Sequence, residues 1–193
     1  MEKNELYPIF LKVHALNVTI IGGGWVGQEK LGFLLKSSPN AKVKMIAIAF
    51  NEEVKTLAAQ HQVILVEKAY EASDLDGSQM IIAATNEEGV NIQIYHDAKS
   101  KNILVNVADN PPYCDFYMGG IVIKGNVKIA ISTNGKSPTT AKRLRQFFEE
   151  VLPDDINKLV ENLNTYRKTL KNDFESKVEQ LNTLTEGLLK NKE

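Results

Sequence analysis

Val18-Thr19-Ile20-Ile21-Gly22-Gly23-Gly24-Trp25-Val26-Gly27 decides how the rest of the chain reads. A β-branched, apolar run ends in glycines, and a helix-compatible segment, Gln28 to Lys36, follows at once. The pattern predicts a buried strand, a tight turn and a helix start. Gly22, Gly24 and Gly27 fall at the three positions of G-x-G-x-x-G. The first permits the turn, the second lets backbone approach a pyrophosphate, and the third lets the helix pack closely on the strand. N–H groups at the helix start then face the phosphates. A dinucleotide is the ligand this stretch points to; a strand-to-helix turn that binds nothing is the competing reading. The second strand, Lys42-Val43-Lys44-Met45-Ile46-Ala47-Ile48-Ala49, ends without the acid that holds an adenosine ribose, and Glu52 comes a little late. From sequence the choice between NAD and NADP is open.

Outward from that turn, strand and helix alternate. Helical spacing puts Leu31, Leu34 and Leu35 on one face, and a second helix is expected from Asn51 to about Gln62 with Val54, Leu57 and Ala58 inward. Val63-Ile64-Leu65-Val66, Met80-Ile81-Ile82-Ala83-Ala84-Thr85 and Ile103-Leu104-Val105-Asn106-Val107 read as further strands, with a helix from about Glu88 to Ser100. Such alternation means parallel pairing with right-handed crossovers, so residues 1–110 are expected to form a Rossmann-type α/β sheet. Tyr7-Pro8-Ile9-Phe10-Leu11 is expected as a short edge segment, because Pro8 is poorly tolerated in a central strand.

Asp109-Asn110-Pro111-Pro112 interrupts the alternation. Phe116-Tyr117-Met118 and the run from Gly120 to Ile131 read as strands, with a turn at Gly125-Asn126, so residues 111–150 are expected to hold a small β-hairpin region. Ser132 to Ser137 is a polar loop, with Ser137 placed to cap a helix whose first residue is Pro138. Residues 151–193 are expected to be a C-terminal helical region. Ile156, Leu159, Leu163, Tyr166, Leu170, Phe174, Val178, Leu181, Leu184 and Leu188 recur there at three- and four-residue steps. That stripe asks for cover, and a homodimer is favoured over a helical hairpin folded back on the domain.

Composition narrows the function classes. With 193 residues and 43% apolar content the chain supports one full domain and a smaller appendage. A net charge of −1 creates no field that draws it to nucleic acid or a membrane surface, so neither is an expected partner. The single cysteine, Cys114, excludes an internal disulfide and a multi-cysteine zinc site. His14, His61 and His96 are scattered, and no preformed metal site is expected. The start of the chain lacks signal-peptide features, and no apolar run approaches the ~20 residues of a span; a cytoplasmic protein is expected.

Several ordered motifs together resemble the precorrin-2 dehydrogenases of siroheme synthesis, some of which are also sirohydrochlorin ferrochelatases. They are Pro8-Ile9-Phe10-Leu11, the glycine run with Val26 and Lys30, Ile82-Ala83-Ala84-Thr85-Asn86, Asn91, Asn106-Val107-Ala108-Asp109, Cys114-Asp115-Phe116 and Ile131-Ser132-Thr133-Asn134-Gly135-Lys136-Ser137-Pro138. The resemblance covers about residues 7–150. It implies NAD as cofactor and the oxidation of precorrin-2 to sirohydrochlorin, with ferrous iron insertion as a second activity of some members. By the same resemblance, Gly22, Gly24, Trp25, Val26, Ile48, Ala49, Thr85 and Asn86 contact the cofactor, and Asp109 is the catalytic residue. This chain departs from the family's frequent proline near Ile48 and its frequent alanine in place of Gly27.

Oxidising the macrocycle removes a hydride and a proton, and the proton needs a base, the role implied for Asp109. The competing role is a turn aspartate that stabilises Asn110-Pro111-Pro112. A tetrapyrrole with eight carboxylates favours N–H-rich and cationic surfaces, which nominates Ser132, Thr133, Asn134, Gly135 and Lys136 for substrate binding. Lys142, Arg143 and Arg145 follow them in sequence, and an ordinary exposed helix face accounts for these cations equally well. Tyr113, Phe116 and Tyr117 either cover the macrocycle or fill core. With 193 residues, the methyltransferase module fused to some family members is not expected in this chain. An NAD-sensing binding module, with the same sheet but no chemistry, is the alternative function.

Overall fold

The computed structural model describes residues 4–170 and 174–186. By their contacts these fall into two compact units, one of residues 4–118 with 132–137, the other of 119–131 with 138–170 and 174–186. The hairpin and the C-terminal helices thus share a unit.

In the first unit five parallel strands form one sheet: β1 (Asn17–Ile21), β2 (Lys42–Ala47), β3 (Ile64–Glu67), β4 (Met80–Ala83) and β5 (Leu104–Val107). Their spatial order is β3-β2-β1-β4-β5. The order reverses between β1 and β4, which pair in register from Val18 opposite Met80 to Ile21 opposite Ala83. Three helices complete the unit, α1 (Trp25–Ser37), α2 (Glu52–His61) and α3 (Glu88–Ser100). Alternation along each strand separates two cores. Val18, Ile20, Val43, Met45, Met80 and Ile82 pack with Leu31, Leu34 and Leu35 of α1 and with Val54 and Ala58 of α2. Ile21, Ile81, Ala83, Val105 and Val107 pack with Ile94 and Ala98 of α3 on the other face. Both faces are therefore covered, which is why the strands read as near-continuous apolar runs.

Some boundaries differ from the sequence reading. Helix α1 starts at Trp25, three residues before Gln28, because Gly24 serves as its N-cap and Trp25 and Val26 already lie in its first turn. Strand β2 ends at Ala47, so Ile48 and Ala49 belong to the loop beyond it. Residues 7–11 form irregular, exposed chain rather than an edge strand, and Phe116–Met118 is also irregular. A 3-10 turn, Ala72–Leu75, is the only helical piece between β3 and β4.

In the second unit β6 (Gly120–Lys124) and β7 (Val127–Ile131) form an antiparallel hairpin, with Gly125 at φ 61 in its turn. Helix α4 (Pro138–Val151) begins at the proline expected for its first turn. The C-terminal stripe is divided between α5 (Ile156–Thr169) and α6 (Phe174–Thr185) because Leu170 is extended, which stops α5. Tyr166 donates to Gln180 Oε1 at 3.4 Å, and Leu163 shares a cleft with Leu181 and Thr185, so the two helices meet antiparallel. Of the predicted stripe, Leu188 and the side chain of Phe174 lie outside the described residues.

Candidate cofactor and active site

The loops at the carboxyl ends of β1 and β4 adjoin at the point where strand order reverses, the position where α/β sheets open a crevice for ligands. The first loop is the glycine turn. Its start continues the ladder, Gly22 N donating to Ile46 O at 2.9 Å. Gly22 has φ 122, and a Cβ there would stand 2.2 Å from the Ala84 carbonyl oxygen. On Gly23 it would stand 2.2 Å from Ala49 O, and on Gly27 2.1 Å from Gly22 O. All three glycines are demanded by packing within the fold.

Gly24 is different. Its φ of −85 is ordinary, and an added Cβ would meet no protein atom within 4 Å. Nothing in the chain itself requires glycine there, whereas close approach of a pyrophosphate does. The end of α1 agrees: no side chain caps it and its first turn holds no acid. Helix α2 shows the contrast, with Asn51 Oδ1 accepting from Val54 N at 2.8 Å and Glu52 and Glu53 in its first turn. An uncapped helix start leaves its N–H groups and partial positive charge available to an anion. The residues thus fit a dinucleotide phosphate.

The other residues expected to contact the cofactor lie at the same end of the sheet. Trp25, beside the glycine turn, is 72% exposed, and Ile48, just past β2, is 77% exposed. Val26 is half-buried and Ala49 exposed. Asn51 fixes these two loops to each other: its N–H donates to Gly23 O at 3.1 Å and its Nδ2 to Gln28 Oε1 at 2.8 Å. Thr85 and Asn86 follow β4. Thr85 is held by Asn91, whose Oδ1 accepts from Thr85 N at 3.1 Å and from Thr85 Oγ1 at 2.7 Å, while its Nδ2 donates to Thr85 O at 3.0 Å.

Asp109 sits two residues past β5, exposed and at φ 57. The turn around it is closed by backbone, Asn110 N donating to Val107 O and Tyr113 N to Asn110 O. No hydrogen bond or ion pair of the described residues engages the Asp109 carboxylate, so it does not serve as the turn's side-chain brace. Bracing comes from further along. Asn106 Nδ2 donates to Phe116 O at 2.8 Å, Cys114 Sγ to Val107 O at 3.2 Å, and Asp115 Oδ2 accepts from Val105 N at 3.1 Å while Lys99 pairs with Oδ1 at 2.7 Å. These bonds fold residues 114–116 back along β5 and hold the excursion that carries Asp109. Burial pushes the Cys114 thiol pKa up, so it stays protonated and structural. Tyr113 stacks edge-on against Tyr95 at 4.9 Å, and Phe116 packs on the α1 side of the sheet. Both fill core.

Asn91 and Asn106, whose side chains bond Thr85 and Phe116, were given no role by the sequence reading. The signal was present: a polar side chain on the inward face of α3 beside Ile94 and Ala98, and another within an apolar strand.

The loop Ser132 to Ser137 groups with the first unit. Asn134 and Gly135 are consecutive left-handed residues, φ 56 and 72. Thr133 ties the loop, its Oγ1 donating to Ser137 O at 3.1 Å and accepting from Ser137 N at 3.2 Å, and Lys136 N donates to Thr133 O. Ser132, Gly135 and Lys136 are exposed. Downstream, Arg145 is occupied by Glu149 and Arg143 by Gln146. A cavity of about 650 Å³ lies at the opposite, amino ends of the strands, lined by Asn17, Lys42, Lys44, His61 and Ser78. It includes none of the expected site residues. No helix of the described residues is long and apolar enough to cross a membrane.

Known proteins place this geometry in context. Residues 9–120 match the family described as "Putative NAD(P)-binding", and residues 124–150 match the family described as "Sirohaem biosynthesis protein central". The chain is 38% identical over 172 residues to a siroheme synthase of Pseudoalteromonas atlantica, a match covering 89% of this chain and 37% of that protein. To a siroheme synthase of Psychrobacter sp. it is 34% identical over 165 residues, covering 86% and 34%. The chain therefore spans little more than a third of the length of these relatives. Its fold is similar to that of SirC, precorrin-2 dehydrogenase, with a TM-score of 0.75, 23% identity, and coverage of 93% of this chain and 89% of that one. The glycine turn and the reversal of strand order both lie inside the first matched range, and over more than half its length this chain belongs to that NAD(P)-binding family.

Proposed function

We propose that the chain oxidises precorrin-2 to sirohydrochlorin with NAD as the electron acceptor. The observation that carries the cofactor half is Gly24, a glycine that neither backbone nor packing demands, at an uncapped helix start. The substrate half is supported by the relatives named siroheme synthase and by the second matched range, residues 124–150. Bound at the glycine turn, NAD supplies the acceptor for a hydride. Asp109, exposed at the carboxyl end of the sheet with no side-chain hydrogen bond or ion pair among the described residues, takes the proton released from the macrocycle. Gly22, Gly24, Trp25, Val26, Ile48, Ala49, Thr85 and Asn86 contact the cofactor in this reading, and Ser132 to Lys136 receive substrate carboxylates. Ferrous iron enters as a second substrate, delivered to the macrocycle; among the described residues no group of three His, Cys, Asp or Glu side chains is arranged to hold a metal.

In this reading the working unit is a homodimer in the cytoplasm. Helices α4 and α5 contain no buried residue, and Phe147, Val151, Tyr166, Val178 and Leu184 are exposed apolar or aromatic side chains on the C-terminal helices. A second copy is the partner that covers them. Light scattering at micromolar concentration is expected to give a dimer, and a monomer rejects that part.

The function itself is tested by anaerobic absorbance with enzymatically generated precorrin-2. Sirohydrochlorin formed only when NAD is present supports the dehydrogenase; oxidation indifferent to NAD sinks it. Siroheme formed faster than in a protein-free control after ferrous iron is added supports iron insertion.

A further inference from the structure

Four polar side chains are buried among the described residues: Thr19, Ser78, Asn91 and Asn106. Thr19 and Ser78 satisfy each other at 2.8 Å, near the amino end of the sheet. Asn91, 7% exposed, is spent otherwise. Its amide makes three hydrogen bonds, all to one residue, and that residue lies in a loop.

A buried carboxamide is an expensive way to fill a helix face. Its neighbours on the inward side of α3 are Ile94 and Ala98, and an apolar residue would pack there without desolvating a donor and an acceptor. The bonds lie outside the sheet, because β4 has already ended at Ala83 and Thr85 is in the loop beyond it. What they fix is the path of the chain at Thr85. Thr85 Oγ1 also accepts from Glu87 N at 3.2 Å, which extends the hold to the start of α3. One residue earlier, the Ala84 carbonyl is the group against which Gly22 is packed. The Asn91 amide therefore sets one wall of the crevice against the other.

We infer that Asn91 is a positioning residue for the dinucleotide, holding Thr85 and Asn86 in their binding conformation before the ligand arrives; this rests on the NAD reading above. A loop already ordered in its bound form loses less entropy on binding, so the clamp shows up as affinity.

The test is calorimetric titration of NAD into the full chain and its variants, with thermal unfolding measured beside it and KM for NAD separated from kcat. Asn91→Ala removes all three bonds to Thr85 and is expected to weaken NAD binding by about tenfold or more, with KM rising more than kcat falls. Thr85→Val removes the hydroxyl bonds to Asn91 and Glu87 but leaves the two Asn91 bonds to the Thr85 backbone, and is expected to shift affinity the same way by less, while Thr85→Ser, which keeps the hydroxyl, restores it. A purely structural role predicts a lowered melting temperature with NAD affinity unchanged well below it, and that result overturns the inference. If Asn91→Ala does not fold, equal affinities for Thr85→Val and Thr85→Ser overturn it instead. Wild-type protein that fails to bind NAD overturns the cofactor reading, a result distinct from variants that bind as well as wild type.

Discussion

A Cβ built on Gly27 would stand 2.1 Å from the carbonyl oxygen of Gly22, so the third glycine of the turn exists to let α1 lie against the end of β1. Gly24, between them, has no such neighbour. The motif therefore separates into glycines that the packing of the fold requires and one, Gly24, that it does not.

That separation is measurable. Gly27→Ala is expected to cost about 1–3 kcal/mol in urea unfolding, the usual penalty of overpacking, and Gly22→Ala at least as much because its φ of 122 adds backbone strain. Gly24→Ala should leave stability within ~0.5 kcal/mol of wild type and still weaken NAD binding. Equal destabilisation by all three changes would refute the assignment of Gly24.

Asp109→Asn tests the base without disturbing the turn. Asparagine tolerates the left-handed region as readily as aspartate does, so φ 57 is kept and only the charge is removed. NAD affinity and melting temperature are expected to hold, and turnover to fall by on the order of 10²-fold or more. Turnover within a few-fold of wild type would assign Asp109 to the turn and not to the chemistry.

Much of the fold was legible in sequence because parallel strands covered on both faces announce themselves as apolar runs. Strand β1, the capped helix α2 and the bounds of α3 follow from local pattern and turn chemistry. Boundaries slipped where glycine is an N-cap, since Gly24 has no side chain to mark the start of α1. The C-terminal stripe gave its period but not its break, which depends on one extended residue, Leu170. The place of Asp109, just past the carboxyl end of β5, was legible. The network that holds it was not, because Asn106, Cys114, Asp115 and Phe116 meet only once residues 114–116 turn back along β5.

Asn106 offers a check on that network. It is 6% exposed and donates to the Phe116 carbonyl, so Asn106→Ala leaves a part-buried acceptor without this partner. The expected cost is about 1–3 kcal/mol of stability, with turnover reduced more than NAD affinity because the loop it braces carries Asp109. A change in affinity equal to the change in turnover would place the effect elsewhere.

Cys114 gives a pH prediction. Burial raises its thiol pKa above the ordinary 9.0, so between 9.0 and the raised folded value the unfolded chain loses this proton and the folded chain keeps it. Fewer protons bound in the unfolded state make stability fall as pH rises through that window, and Cys114→Ser should flatten the fall. Alkylation of native protein near neutral pH is expected to be slow and to accelerate in denaturant. Rapid native alkylation would contradict a protonated, half-buried thiol.

The most direct measurement is the stoichiometry of a single anaerobic turnover, in which protein, NAD and precorrin-2 are mixed and NADH and sirohydrochlorin are followed together. The two products are expected in equal amounts with wild-type protein and in neither case with Asp109→Asn. Sirohydrochlorin without matching NADH would contradict the hydride acceptor, and matched products from Asp109→Asn would contradict the base.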